Sequence, residues 1–266
     1  MIGFLHSEDT DMKKHLTKLL LVCVLFALTA NAWAGGKGEK KDKTFIIATD
    51  TTFAPFEFQN AQGQYVGVDI ELLAAVAKDQ GFAYDLKPLG FSAAVAALES
   101  GQADGVIAGM SITEERKLKY NFSAPYYDSG VVMAIRATDN TIAGYADLKG
   151  KRVAAKTGTE GATFAEGIKD QYGFNLVYFD ESPFMYEEVK TGNSVACFED
   201  YPVMGYGISQ GNGLKMVTSM EKGSSYGFAV LKGKNQVLLK MFDEGLANIK
   251  ANGTYQAILD KYIKTK

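Results

Sequence analysis

Histidine occurs only twice and cysteine only twice in the 266 residues, and both histidines, His6 and His15, lie at the extreme start of the chain. The single tryptophan, Trp33, and one of the cysteines, Cys23, fall in the same stretch. An excess of charge of one sign is also missing. Lys+Arg number 28 against 31 Asp+Glu, a balance of -3, so no basic footprint for nucleic acid is expected. The one apolar run near the start, residues 19–30, is 12 residues long, whereas a membrane span needs about 20.

That run has a different reading. From Met12 the chain is MKKHLTKLLLVCVLFALTANAWA. Lys13, Lys14 and Lys18 precede the apolar stretch, and Ala32-Trp33-Ala34 follows it. A positive segment, an apolar segment and a small-x-small site together make an export signal. Residues 1–34 are therefore expected to be removed. Met12 is the expected start, because Glu8, Asp9 and Asp11 do not suit a positive leader. Leu21-Val22 before Cys23 lacks the small residues of a lipid-attachment site, so a soluble product is expected.

Removal at Ala34 leaves no histidine and only Cys197. That subtraction excludes Ser-His-Asp and Cys-His chemistry, His-bearing zinc sites and any disulfide within the chain. No metal and no cofactor are expected. Catalysis, if any, would rest on carboxylates, Lys, Tyr or one thiol, and Cys197 reads as a small buried hydrophobe on a core strand.

Residues 35–43, GGKGEKKDK, are polar and glycine-rich and form a leader. Ordered structure is expected from Thr44. Strands are expected at 45–48, 65–68, 82–88, 106–108, 129–136, 152–156, 175–179, 194–198, 214–218 and 226–231. Helices are expected after Asp69 as cap, from Ser92, over 113–120, 163–172 and 184–190, after Asn235 as cap, and from Thr254. Alternation of the two kinds argues for an α/β fold with mostly parallel sheets. The length suits one large domain or two lobes of roughly 100 residues. ALESGQADGVIA (97–108) and EVKTGNSVACF (188–198) echo one another as helix end, glycine stop and strand. Two similar lobes would explain the echo, and so would common helix–strand grammar.

Four places could carry chemistry. In GMSITEER (109–116), Ser111 and Glu114 have capping-box spacing, and Arg116 follows one turn in. Unpaired N–H groups, a hydroxyl and a guanidinium suit a carboxylate; a capped surface helix with an ordinary Arg is the plainer alternative. Asp200 ends an apolar strand beside Glu199, where open α/β sheets bind ligands; a helix cap is its alternative, with Pro202 in the first turn. Strand alternation sends Glu199 and Asp200 to opposite faces. Phe53, in the loop after the first strand, and Phe91, at a helix start, are core rings or ligand walls. Asp50 stands at the end of the first strand. Lys156 ends another and is followed by TGTEG (157–161), whose helix start offers N–H groups without the pattern of a nucleotide loop.

In order along the chain, ATDTTFAPFEF (48–58), YVGVDIELLAAVAK (65–78), LGFSAAVAALESGQADGVIAGMSITEERK (89–117), FSAPYYDSG (122–130), KTGTEGA (156–162), CFEDYP (197–202) and ANGTYQAILDKY (251–262) resemble the polar amino-acid-binding proteins of bacterial ABC importers, family 3 solute-binding proteins, with glutamine-binding proteins closest in look. The resemblance implies a two-lobed periplasmic binding protein-like fold of type II. Lobe 1 would be 44–126 plus 227–266, lobe 2 would be 127–226, and hinge strands would lie near 126–130 and 224–226. It implies a monomeric periplasmic receptor that hands a free amino acid to an ABC permease in the inner membrane, with no nucleic-acid partner.

It also implies roles for residues. Arg116 and the N–H groups of Ser111 and Glu160 would hold the ligand α-carboxylate. Asp200, the Ser111 hydroxyl and the Gly109 carbonyl would take the α-ammonium. Phe53 and Phe91 would sandwich the side chain, and Asp50 and Lys156 would meet its far end. One acceptor beside one donor there complements a terminal carboxamide, so glutamine is expected. Glu199 stands where glutamine binders of the family can carry His, and Glu160 replaces a small residue. If Glu199 enters the pocket, arginine or another basic amino acid becomes the alternative ligand. An enzyme resembling cyclohexadienyl dehydratase, with Glu199 as general acid, is the alternative of another class.

Overall fold

The computed structural model describes residues 43–263. The expected signal sequence and the leader up to residue 42 lie outside the described residues. The chain opens with β1 (Phe45–Thr49), then a small antiparallel sheet of β2 (Thr52–Phe53), β3 (Glu57–Gln59) and β4 (Tyr65–Val66). The aromatic loop of the sequence is this hairpin sheet, and it presents Phe53 from a strand. Then come α1 (Val68–Gln80), β5 (Tyr84–Pro88), α2 (Phe91–Glu99), β6 (Gly105–Val106), the short α3 (Glu114–Lys117) and β7 (Tyr120–Phe122).

A second set follows, with β8 (Tyr127–Arg136), β9 (Arg152–Lys156), α4 (Glu160–Tyr172), β10 (Asn175–Phe179), α5 (Ser182–Lys190), β11 (Ala196–Asp200), α6 (Tyr201–Ser209), β12 (Leu214–Met216) and β13 (Glu221–Tyr226). The chain closes with β14 (Ala229–Leu231), α7 (Gln236–Ala251) and α8 (Thr254–Tyr262).

The expected two-lobed α/β architecture is present. One sheet has the order β5-β1-β6-β14-β7 and the other β10-β9-β11-β8-β12, with β13 also on β8. Both sheets are parallel in the middle of the βαβ units, at β5-β1-β6 and β10-β9-β11. Each is finished by antiparallel strands, so the expectation of mostly parallel sheets holds only for those cores. β14 is antiparallel to β6 and β7, and β8 to β11, β12 and β13.

The central strands of the two large sheets are buried on both faces, which is why β1, β8, β9 and β11 carry apolar runs. Along β8, Val131, Met133 and Ile135 join the core under α4, while Val132 and Ala134 join the core under α5 and α6. That is the two-residue period of a strand. In the first lobe, Leu72 and Val76 of α1 pack with Phe242 and Leu246 of α7, and Ala94 and Leu98 of α2 cover Ala48 and Val106.

The expected single strand over 226–231 is broken in two. Gly227 lies where an added Cβ would stand 2.9 Å from Ile112, and its N–H donates to the Met110 carbonyl. There the chain leaves the second sheet at Tyr226 and joins the first at Ala229. β8 and β13 are the two linking strands, paired at Tyr127–Tyr226 and Ser129–Ser224. The echo has a shared geometry: Gly101 and Gly192 both sit in the left-handed region, at φ 76° and 83°, each between a helix end and a strand.

Candidate functional site

The C-terminal ends of β1, β9 and β11 and the segment after β6 converge on one small cavity, lined by Asp50, Phe53, Phe91, Ala108, Gly109, Ser111, Arg116, Thr159, Glu160 and Asp200. Sheet ends are where open α/β folds expose strand-borne groups and helix N-termini together. Eight residues singled out from the sequence are thus brought together. Lys156 is a ninth, held behind the lining by Asp50.

The Asp50–Lys156 pair crosses between the lobes. Lys156 Nζ lies 2.5 Å from Asp50 Oδ2 and 3.3 Å from Thr52 Oγ1, and 5.4 Å from the centre of the Phe53 ring. The two side chains are 1% and 0% exposed. The other Asp50 oxygen accepts the Thr51 N–H at 2.6 Å. Each charge is therefore compensated out of water, as a buried charge must be.

Arg116 forms the opposite wall. Its guanidinium lies over Phe91, 5.4 Å from the ring centre. It donates to the Ser111 carbonyl and, across the cleft, to the Gly158 carbonyl, both at 3.0 Å. Glu160 Oε1 is 3.9 Å away. The fork thus points at the start of α4, where Thr159 caps the helix by accepting the Ala162 N–H. First-turn N–H groups of a helix lack intrahelical partners and attract anions.

The capping box expected at Ser111 and Glu114 is not formed. The cap of α3 is Thr113, whose hydroxyl accepts the Arg116 N–H at 3.2 Å. The reason lies upstream. Met110, Ser111 and Ile112 are tied along β13: Gly227 N–H donates to Met110, Ile112 N–H to Ser225, and Ser111 pairs with Tyr226. Extended backbone cannot turn helical before Thr113. Ser111 therefore faces the cavity.

Asp200 occupies the cap position of α6 without a side-chain capping bond. Its Oδ2 instead accepts the Tyr226 hydroxyl at 2.6 Å. Burial, then the neighbouring Glu199, pushes its carboxyl up to about 7, against the Tyr226 bond and Arg116. Glu199 turns the other way, as alternation requires. It accepts from Ser182 at 3.1 Å and Tyr186 at 2.8 Å on α5, does not line the cavity, and is raised by burial.

Two supporting groups escaped sequence reasoning. Asp69 was expected to cap α1; Gly67 holds that position, and Asp69 is buried in the first turn. Its Oδ2 accepts the Gly109 N–H and the Tyr126 hydroxyl, each at 2.7 Å, and burial lifts it to about 6. It fixes the Gly109 loop from behind. The signal available was an acid in the buried stripe of an amphipathic helix, which a cap explains locally. Tyr226, the other, carried no signal beyond being aromatic in a strand.

Gly109 is required by geometry. Its φ is +53° and a Cβ would lie 2.3 Å from the Phe53 ring. Gly109→Ala is expected to displace Phe53 and lower stability by about 1–3 kcal/mol, the usual cost of overpacking, measured by urea unfolding.

A family model described as bacterial extracellular solute-binding proteins, family 3, matches residues 45–265. The arginine-binding extracellular protein ArtP of Bacillus subtilis (strain 168) is 30% identical over 94% of this chain and 98% of its own. Among solved structures, the second substrate-binding domain of a putative amino acid ABC transporter from Streptococcus pneumoniae Canada MDR_19A is 47% identical, covers 83% of this chain and 100% of its own, and superposes with a TM-score of 0.57. An ancestral arginine-binding protein bound to glutamine is 36% identical over 83% of this chain and 97% of its own, with a TM-score of 0.76.

Proposed function

Given that this chain belongs to the bacterial extracellular solute-binding proteins of family 3, we propose that it captures one free L-amino acid between its lobes, glutamine above others, for an ABC permease. The lobes of the proposal are 44–126 with 227–266, and 127–226. In this reading the protein acts as a monomer in the periplasm after loss of residues 1–34, and transforms nothing.

The ligand α-carboxylate takes the Arg116 fork, with the Ser111 and Glu160 N–H groups beside it. The α-ammonium takes Asp200, the Ser111 hydroxyl and the Gly109 carbonyl. Phe53 and Phe91 flank the side chain. Each ligand charge then meets an opposite charge or an oriented dipole away from water.

The observation that carries glutamine is the Asp50–Lys156 pair, buried and cross-lobe. A carboxamide can donate to Asp50 and accept from Lys156. A guanidinium would face Lys156 and a carboxylate would face Asp50. Arginine is the second reading, favoured by the name of the Bacillus relative and by Asp50 itself. The relative and the two neighbours are described as binding proteins or domains. With Glu199 held on α5 by Ser182 and Tyr186, a general acid at the cavity is disfavoured.

Calorimetric titration with the twenty amino acids tests this. One glutamine per chain is expected, with a Kd of about 1 μM or tighter, within the per-atom ceiling for a ligand of this size. Clear heat with arginine and none with glutamine would overturn the specificity. Silence from every amino acid would overturn the function.

A further inference from the structure

Tyr226 touches both halves of the site. Its backbone lies on β13, where it pairs with Ser111 of the first lobe and accepts the Tyr126 N–H at 2.9 Å. Its side chain reaches Asp200 of the second lobe. The ring is fully buried and fixed by Phe56 at 4.9 Å, edge to face, and by Phe53 at 6.2 Å. A ring so held leaves the hydroxyl one place to be. Ser129 Oγ donates to that hydroxyl at 3.0 Å, so the tyrosine's own proton is directed to the Asp200 carboxylate.

We propose that Tyr226 is a positioning residue for ligand capture: fixed to the linking strand, its hydroxyl holds Asp200 as an oriented carboxylate ready for the ligand ammonium. The proposal rests on the reading of Asp200 given above. The bond matters because the surroundings of Asp200 disfavour its charge. Glu199 on its own strand and Glu160 at the head of α4 are acids, while Arg116 from the first lobe is the opposing cation. Lys156 on the adjoining β9 acts on Glu199, and Tyr186 of α5 is bonded to Glu199. Burial pushes Tyr226 itself well up, so it remains a neutral donor throughout.

The sign follows. A ligand ammonium needs Asp200 ionised, so binding weakens as pH falls through the value near 7. Loss of the Tyr226 hydroxyl removes a bond that favours the carboxylate, and the midpoint moves up.

The experiment is titration of the purified wild type, Tyr226→Phe and Ser129→Ala with L-glutamine, and with L-arginine in parallel, over about pH 5.5 to 8.5, a range that brackets this titration. For Tyr226→Phe, affinity at pH 7 is expected to fall about fivefold, because about half of Asp200 is ionised there in the wild type and about a tenth once the midpoint lies about one unit higher. Its midpoint is expected to rise by about one unit, with affinity recovering toward the wild-type value at the alkaline end. Ser129→Ala should shift in the same direction by less. A loss equal at every pH, or an unmoved midpoint, would overturn the proposal by making Tyr226 a packing residue only. Should Tyr226→Phe fail to fold, an unmoved midpoint in Ser129→Ala overturns it. A wild type that binds neither amino acid overturns the functional reading itself, which is a different result.

Discussion

Arg116→Ala is expected to weaken glutamine binding by about 2–5 kcal/mol, the usual cost of stripping one partner from a buried charge pair, which is more than tenfold in Kd. The guanidinium is set over the Phe91 ring, its Nη1 donates to the Ser111 carbonyl, and its Nη2 reaches the Gly158 carbonyl of the second lobe. A planar fork held on one side and aimed across a cleft is suited to a carboxylate at that point. Lysine there would be a point charge without the fork, so Arg116→Lys should recover only part of the loss. Calorimetry reads both variants. Thermal melting should change little, because the first-lobe core does not depend on this side chain. Unaltered affinity in the alanine variant would place the carboxylate elsewhere.

Lys156→Met should have the second large effect, and it has two readouts. Asp50, 1% exposed, loses its cation, and breaking a buried pair in this way costs about 3–5 kcal/mol of stability. Lys156 also opposes the burial that raises Glu57 and Glu199, so its loss disfavours two further carboxylates. The second readout is selectivity. With the ammonium gone, an arginine guanidinium can supply the positive charge that Asp50 lacks, while a carboxamide loses its donor. Glutamine should weaken and arginine should gain, reversing their order in paired titrations, while urea unfolding reads the stability. A variant as stable as the wild type that still prefers glutamine would remove the ion pair from the account of specificity.

What could be read before the structure was whatever local chemistry decides. Strands β9 and β10 fall where apolar runs between turn residues put them, at Arg152–Lys156 and Asn175–Phe179. Asp50, Lys156 and Asp200 follow from the same logic, since each is a charged residue closing an apolar strand in a sheet whose ends face a cleft. Long-range pairing was invisible. Ser111 has a helix-capping pattern, yet its backbone is held extended by a strand more than a hundred residues away. The run 226–231 looks like one strand, yet Gly227 lets it change sheets. Asp69 looks like a cap because its true partners, Gly109 and Tyr126, are remote in sequence. Tyr226 gave no signal beyond being aromatic in a strand, because its importance lies in a hydroxyl meeting a carboxylate on another strand of the second lobe.

The most direct measurement is a crystal structure of the protein grown with L-glutamine. The account requires one molecule between Phe53 and Phe91, its carboxylate on the Arg116 guanidinium, its ammonium on Asp200 and its amide between Asp50 and Lys156. Glutamine bound away from Arg116 and Asp200, or lodged only on the outer surface, would contradict it.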